Sequence, residues 1–410
     1  MIRWIIFIGI FFLIDFYAFQ AVRTTFKNRT VNIIYIIISI IVIANFIYQI
    51  KTYDRSVTVD TKINLAIGLF LTLYIPKIVI MLVMFSEDIF RVPMACYKYF
   101  TQGNAAEGNY FPSRRQFISQ AALGLAAIPF TSFLYGMVKG KYNFKVLKHT
   151  LYFDDLPEAF DGYTITQISD IHSGSFDNKE KVEYAVDLVN EQASNIILFT
   201  GDLVNNIAEE MIPWKETFSR LNAEDGVFSI FGNHDYGDYV QWDSEEHKRQ
   251  NHEELKAIQK EIGFDLLLNE SRYIEKNGQR IALVGVENWG RGFKKKGDLK
   301  KAARNVDKDD FKILMSHDPT HWEEQVIYDD YHYHLTLSGH THGMQFGIEI
   351  PGVIKWSPIK WRYKYWAGIY KELGQYINVN RGLGYLAFPG RVGIWPEITV
   401  IELKKGSNNA

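Results

Sequence analysis

The chain has 410 residues, 47% of them hydrophobic, with a formal net charge of −2; it is long enough for more than one structural unit, and its charge suggests neither a nucleic-acid footprint nor an acidic tail. A lone cysteine, Cys96, excludes an internal disulfide framework and leaves the redox compartment open, because a domain of this size needs no covalent staples. Most of the apolar excess lies before about residue 140, and the remainder has the mixed charge and regular turn residues of a globular domain.

Four apolar stretches, residues 4–21, 31–50, 63–85 and 121–138, approach the roughly 20 residues that a helix needs to cross the hydrocarbon core. They predict a bundle of about four transmembrane helices within residues 1–140. The second carries no charge and the third only Lys77. Asp15 in the first is expensive in lipid, so it is either packed against another helix or functional. The fourth is rich in small residues and interrupted by Pro129, and a buried amphipathic helix is its alternative reading. Ahead of it stands Ser113-Arg114-Arg115-Gln116-Phe117-Ile118, which resembles a twin-arginine export signal; the plainer explanation is a pair of stop-transfer arginines at a helix end. Arg23, Lys27, Arg29, Arg91, Lys98, Arg114 and Arg115 fall in loops on one side, and Arg3, Lys51, Arg55 and Lys62 on the other. With four spans, that imbalance puts the C-terminal half outside the cytoplasm, against the pull of Lys139, Lys141, Lys145 and Lys148. A juxtamembrane basic linker is expected over residues 141–150, a globular domain over 151–404 and a polar tail over 405–410.

In the globular part, short apolar runs alternate with helical patterns, which predicts a layered α/β domain. Residues 163–169 alternate like a strand and end at Asp170-Ile171-His172. Residues 179–192 have helical spacing, with Val182, Ala185, Val186 and Val189 on one face. Residues 195–200 form a buried-strand candidate ending at Gly201-Asp202, and 226–231 another ending at Gly232-Asn233-His234-Asp235. Residues 312–315 lead to Ser316-His317, and 334–338 to Gly339-His340-Thr341-His342. Five strands thus finish in Asp, Asn or His, and ligand sites gather at the strand ends of such sheets.

Carboxylate and amide oxygens mixed with imidazole nitrogens suit borderline ions such as Mn, Fe or Zn better than Mg or Ca. The side chains of Asp170-x-His172 leave a strand end as it turns, so both can reach one ion. His340-x-His342 can do the same, or can serve two neighbouring ions with one imidazole each. Asp202 can bridge such a pair, since a carboxylate has two oxygens and the charge to offset two cations. Any one of these histidines alone is ordinarily a hydrogen-bonded loop residue; all five fragments in this order, each after a strand, are not explained that way.

The order D-x-H, G-D, G-N-H-D, H, G-H-x-H resembles the calcineurin-like metallophosphoesterase superfamily over about residues 150–403. Arg381-Gly382-Leu383-Gly384 through Trp395-Pro396-Glu397-Ile398 is similar to its membrane-attached bacterial branch, which includes transmembrane metallophosphoesterases and UDP-2,3-diacylglucosamine hydrolases. Met344 stands where that branch commonly has a second glycine and Trp395 where proline is usual, departures that touch substrate shape rather than metal binding. The resemblance implies a four-layer αββα sandwich of two mixed sheets behind the transmembrane helices, with a dimetal centre on one edge. It places Asp170, His172, Asp202 and His342 on one ion and Asp202, Asn233, His317 and His340 on the other, with a water or hydroxide between them as nucleophile. His234 would contact the phosphate and protonate the leaving group, with Asp235 fixing its ring.

The implied reaction is hydrolysis of a phosphoester or pyrophosphate bond in a phosphorylated small molecule or lipid, at a bacterial inner membrane. UDP-2,3-diacylglucosamine, cleaved during lipid A synthesis, is one substrate of that kind; an extracytoplasmic phosphatase or phosphodiesterase of cell-envelope phosphates is the rival. A non-catalytic membrane scaffold or sensor would have lost ligands, and none is missing. Neither a nucleic acid nor an obligate protein partner is expected. His149, His247, His252 and His321 are expected at the surface or in support of the site, and His332-x-His334 in a strand with both side chains on one face. Residues 354–370 interleave aromatic rings with Lys and Arg, as a membrane-interface surface needs, and are expected to rim the active site and face the bilayer; a hairpin with one apolar face is the alternative. Lys294-Lys295-Lys296 with Lys300, Lys301 and Arg304 reads as a solvated face.

Overall fold

A computed structural model describes residues 2–53, 61–102, 112–350 and 352–407; Arg55 of the loop charges and the last three residues of the expected tail lie outside them. The chain divides into two units at Val138.

The first unit consists of α1 (Ile2–Thr25), α2 (Arg29–Thr52), α3 (Thr61–Gln102) and α4 (Pro112–Val138). Among the described residues, three helices are long and apolar enough to cross a membrane, within α2, α3 and α4. The expected span 4–21 lies in α1, partly outside the residues whose side chains are described. Ala18, Ala21, Ala122 and Ala126 form a buried cluster with Ile80 and Met84, the small side chains that close helix approach in lipid requires. Asp15 is packed against other helices: Lys77 Nζ lies 2.5 Å from its Oδ1, and the Tyr74 hydroxyl donates to Oδ2 at 2.8 Å. Lys77 also donates to Ser39 Oγ at 2.7 Å. The lone charges of the spans 4–21 and 63–85 therefore neutralise each other. The two consecutive arginines are not equivalent. Arg115 is buried and ion-paired with Glu87 and with Asp88 at 3.1 Å, while Arg114 is exposed. Arg115 thus ties helices of the bundle together, a role that neither sequence reading gave it.

In the second unit the elements are β1 (Lys145–Phe153), β2 (Thr164–Ile168), α5 (Lys179–Asn190), β3 (Ile196–Phe199), α6 (Lys215–Phe218), β4 (Val227–Ser229) and α7 (Glu245–Glu261). They continue with β5 (Phe264–Leu266), β6 (Glu270–Lys276), β7 (Gln279–Gly285), α8 (Leu299–Ala302), β8 (Lys312–Met315), α9 (Pro319–Glu324) and β9 (Leu335–Ser338). β10 (Ile348–Ile350), β11 (Ile354–Trp356), β12 (Gly368–Glu372), β13 (Gln375–Val379) and β14 (Glu397–Lys405) complete the chain. One sheet has the order β1-β14-β2-β3-β4-β5 and the other β12-β13-β9-β8-β7-β6, with β10-β11 as a separate hairpin. Both large sheets are mixed: β14 runs antiparallel to β2, and β6 and β12 run antiparallel to their neighbours.

Three apolar clusters define four layers. Leu198, Phe228 and Ile165 meet Leu283, Ile313 and Leu337 between the sheets. Val182, Val186 and Val189 of α5 with Leu255 and Ile258 of α7 cover the outside of the first sheet, and Leu299, Ala302 and Trp322 cover the outside of the second. The expected αββα sandwich of two mixed sheets is the fold of this unit.

Two local expectations change. Residues 145–150 are not linker but the exposed start of β1, paired in parallel with β14. As an edge strand with at most half-buried side chains there, it has no apolar run to reveal it. His332-x-His334 precedes β9 instead of lying in it: His332 has φ 48°, and His334 bonds Asp155 at 2.7 Å and the Lys312 amide at 2.9 Å.

Candidate metal centre

The residues after β2, β3, β4, β8 and β9 supply the polar clusters, from three adjacent strands of one sheet and two of the other. Each chain segment must turn sharply as it leaves its strand. Asp170, His172, Asp202, His340 and His342 do so with φ of 49°, 47°, 60°, 71° and 50°. Non-glycine residues in this left-handed region cost about 1–3 kcal/mol each and persist at sites where the surroundings impose them. Gly232 is needed for a different reason: a Cβ there would run into the Asp202 carboxylate.

Two groups of side chains converge. Asp170, His172 and His342 have donor atoms within 4.8 Å of one another, as have Asp202, His317 and His340. In the first group His342 Nε2 lies 3.0 Å from His172 Nε2 and 3.2 Å from Asp170 Oδ1. In the second, His317 Nε2 lies 3.0 Å from Asp202 Oδ2. The same carboxylate oxygen is 3.7 Å from His172 Nε2, so Asp202 faces both groups. Asn233 Oδ1 sits 2.8 Å from His340 Nδ1. All seven residues expected as ligands are thus brought together.

The donors fit cations. Burial and the neighbouring His234 and His342 hold the His172 pKa well below its usual value, which keeps its ring neutral with a free electron pair. Burial alone would lower the His317 pKa, but Asp202 pushes it up to about 10: a positive charge is wanted between these two groups. His317 Nε2 is buried against Asp202 Oδ2, while its Nδ1 donates to the Thr200 carbonyl at 2.7 Å and fixes the ring. Two three-residue groups, with Asp202 of one facing the other, suit two cations side by side.

The neighbouring GNHD segment corrects one expectation. Asp235 does not touch the His234 ring; it accepts the backbone amides of Asp202 and Leu203 at 2.8 Å and of Gly232 at 2.9 Å. A fully buried carboxylate whose pKa burial drives upward is satisfied by the turns it pins. The ring is set instead by the Asn205 carbonyl, 2.6 Å from His234 Nδ1, while the His234 amide donates to Asp202 Oδ1 at 2.8 Å.

Four further residues belong here that sequence reasoning did not single out. The Tyr363 hydroxyl lies 2.8 Å from His340 Nε2, and Tyr239 accepts from Asn233 Nδ2 at 2.8 Å. Buried Asp318 caps α9 through the Thr320 amide and reaches within 3.4 Å of His340 Nε2. Arg391, fully buried, donates to the carbonyls of Arg381 and Gly382 at 2.8 and 3.1 Å and stands 3.3 Å from His342 Nδ1. Only Asp318 carried a readable signal, as the residue beside His317 and before Pro319 at a helix start. Among the other histidines, His321 is buried and bonded to Ser316 Oγ at 2.8 Å, which makes it a support of the site.

Comparison with known proteins covers both halves. The family model for the calcineurin-like phosphoesterase matches residues 163–344, and one described as a probable calcineurin-like phosphoesterase, transmembrane domain, matches residues 2–141. The uncharacterized metallophosphoesterase YkuE of Bacillus subtilis is 30% identical over 71% of this chain and 98% of its own. A transmembrane protein with metallophosphoesterase domain from Danio rerio is 26% identical over 66% of this chain and 60% of its own. An uncharacterized metallophosphoesterase of Aquifex aeolicus is 28% identical over 65% and 94% respectively.

Proposed function

The chain belongs to the calcineurin-like phosphoesterase family and is a metal-dependent phosphoesterase of a membrane, and from that premise we propose that it hydrolyses a phosphoester or pyrophosphate bond in a lipid-borne substrate. The observation that carries the hydrolytic part is Asp202, whose one carboxylate faces His172 and His317 at 3.7 and 3.0 Å. Asp170, His172, Asp202 and His342 would hold one ion and Asp202, Asn233, His317 and His340 the other; Mn, Fe or Zn would suit this mixed set. When bound, such a pair supplies an activated water and neutralises phosphoryl oxygens. The chain's own groups do the rest. The Nδ1–H of His234 donates to the Asn205 carbonyl, so that in the doubly protonated ring Nε2–H faces outward to give its proton to the departing oxygen and the ring is left neutral. Burial holds the His234 pKa down, and an arriving phosphate raises it by its charge. Gly232, Leu203 and Asp202 keep their turns through Asp235, so the donors stay aimed.

Hydrolysis of bis-p-nitrophenyl phosphate with added manganese tests this. Asp202→Ala and His234→Ala should each lower kcat by about a hundredfold or more, the range of lost acid–base or metal assistance; wild-type rates in both variants would overturn the assignment.

The lipid-borne part rests on the membrane unit of the same chain and on the aromatic and basic segment that carries Tyr363 to His340. A nucleotide-linked lipid such as UDP-2,3-diacylglucosamine, cut at its pyrophosphate, is one candidate and requires a cytoplasmic face. The loop charges favour the other candidate, an extracytoplasmic phosphatase or phosphodiesterase of envelope phosphates at a bacterial inner membrane. Protease access to the catalytic unit in intact spheroplasts separates them.

A further inference from the structure

The hairpin β10–β11 is amphipathic in the sense opposite to that of a water-facing surface. Ile348 pairs with Trp356 and Ile350 with Ile354, so these four side chains share one face, while Glu349 and its partner Lys355 share the other. The polar face is the one that meets the protein. Glu349 lies 2.6 Å from Arg381 Nη2, and the Lys355 ammonium turns inward to the Ala367 carbonyl and lies 5.2 Å from the Trp366 ring centre. Ile348, Ile350 and Ile354 point outward and are exposed. Val353 in the turn and Trp361 just beyond the hairpin are 79% and 76% exposed, and Met344 is exposed at its base. Trp361 contacts the Trp356 ring, with centroids 6.1 Å apart. The expected membrane surface over residues 354–370 is therefore shifted: Trp366 and Tyr365 are buried, and the outward apolar face belongs to residues 344–361.

A contiguous apolar patch of this kind marks a surface that something else covers. Three observations commit it to a bilayer. The chain carries its own spanning helices. Lys360 and Arg362, exposed beside Trp361, supply the positive rim that anionic headgroups need, while Glu349 is already paired. The patch also grows directly out of the metal-bearing loop: Ser357 Oγ donates to the Gly343 carbonyl at 2.8 Å, and Tyr363, two residues after Trp361, touches His340.

We propose that the β10–β11 hairpin with Trp361 is a bilayer-docking element that seats its apolar face among the acyl chains of an anionic membrane and so presents lipid-borne phosphate esters to the metal loop. This rests on the lipid-borne reading above. The test uses the full chain in vesicles of phosphatidylethanolamine and phosphatidylglycerol. In a Cys96→Ser background, a fluorophore on Val353→Cys should be quenched by lipids spin-labelled along their acyl chains, and one on Tyr184→Cys, exposed on α5, should not. An unquenched label at position 353 overturns docking. The variant Val353→Asp/Trp361→Ser, which changes two exposed positions, should lower kcat/KM on phosphatidic acid in those vesicles by about tenfold and leave bis-p-nitrophenyl phosphate hydrolysis unchanged. Equal loss on both substrates, or loss on neither, sinks the proposal. A wild type that hydrolyses neither substrate sinks the dimetal reading instead, and the quenching still decides the docking.

Discussion

The His234 ring is held by a main-chain oxygen and not by a carboxylate, which leaves Asp235 free to collect three amides from two turns. The two jobs have different signatures. Asp235→Asn must aim an NH2 group at one of those amides, so it should destabilise the folded protein by about 1–3 kcal/mol, the cost of a buried donor left unmade; unaltered thermal unfolding with only a lower kcat would restore the orienting role. Glu210 offers a pH test. Its carboxylate accepts the Asn205 and Asn206 amides at 2.5 and 3.2 Å, yet burial pushes its pKa up from 4.5 to about 7. A folded value above the unfolded one means that its contribution is fully present below pH 4.5 and is lost as pH rises through about 7. Glu210→Gln should flatten the decline of melting temperature across that interval; an unchanged slope would show that the two amides hold the carboxylate ionised. Sequence showed which residue types would gather, because each motif carries its own chemistry. It could not show Asn205 or Arg391, since a carbonyl oxygen has no residue code and an isolated arginine has no pattern.

Strands were legible where they are buried on both faces. β3 and β8 read as short apolar runs and β2 as an alternation, whereas β1 is visible only through its pairing with a strand some 250 residues later. Leu198 of β3 is fully buried between the sheets. Leu198→Ala should cost about 2–5 kcal/mol, the range for a large side chain removed from a core, and should lower the melting temperature more than Tyr184→Ala on the exposed face of α5. Equal effects would mean that the inter-sheet layer is not the core. The β10–β11 hairpin defeated the sequence because its period is that of any amphipathic ribbon. Alternation tells which side chains share a face, and only tertiary contacts tell which face looks inward.

At the scale of the molecule, cations that bind the folded chain and not the unfolded one stabilise it by mass action, by about 2.7 kcal/mol at a hundredfold excess over Kd. Chelation should lower the melting transition of the catalytic unit, and manganese should restore it; a transition indifferent to both would mean that the converging donors hold no ion. The division into a helical unit and a sandwich was legible from hydropathy alone, since the apolar excess ends where the second unit begins.

Asp15 and Lys77 carry a consequence for biogenesis. A lone aspartate or lysine at mid-helix costs about 2.5–3.5 kcal/mol on insertion, and each finds its counter-charge only in the other's helix. The helix that carries Asp15 must therefore wait, unpartnered, until the one that carries Lys77 has been made. A fragment truncated before residue 61 should be retained poorly in the lipid phase and degraded. Asp15→Leu should cure that defect in the fragment, whereas in the whole protein Asp15→Leu or Lys77→Leu alone should lower accumulation and the two together should restore it.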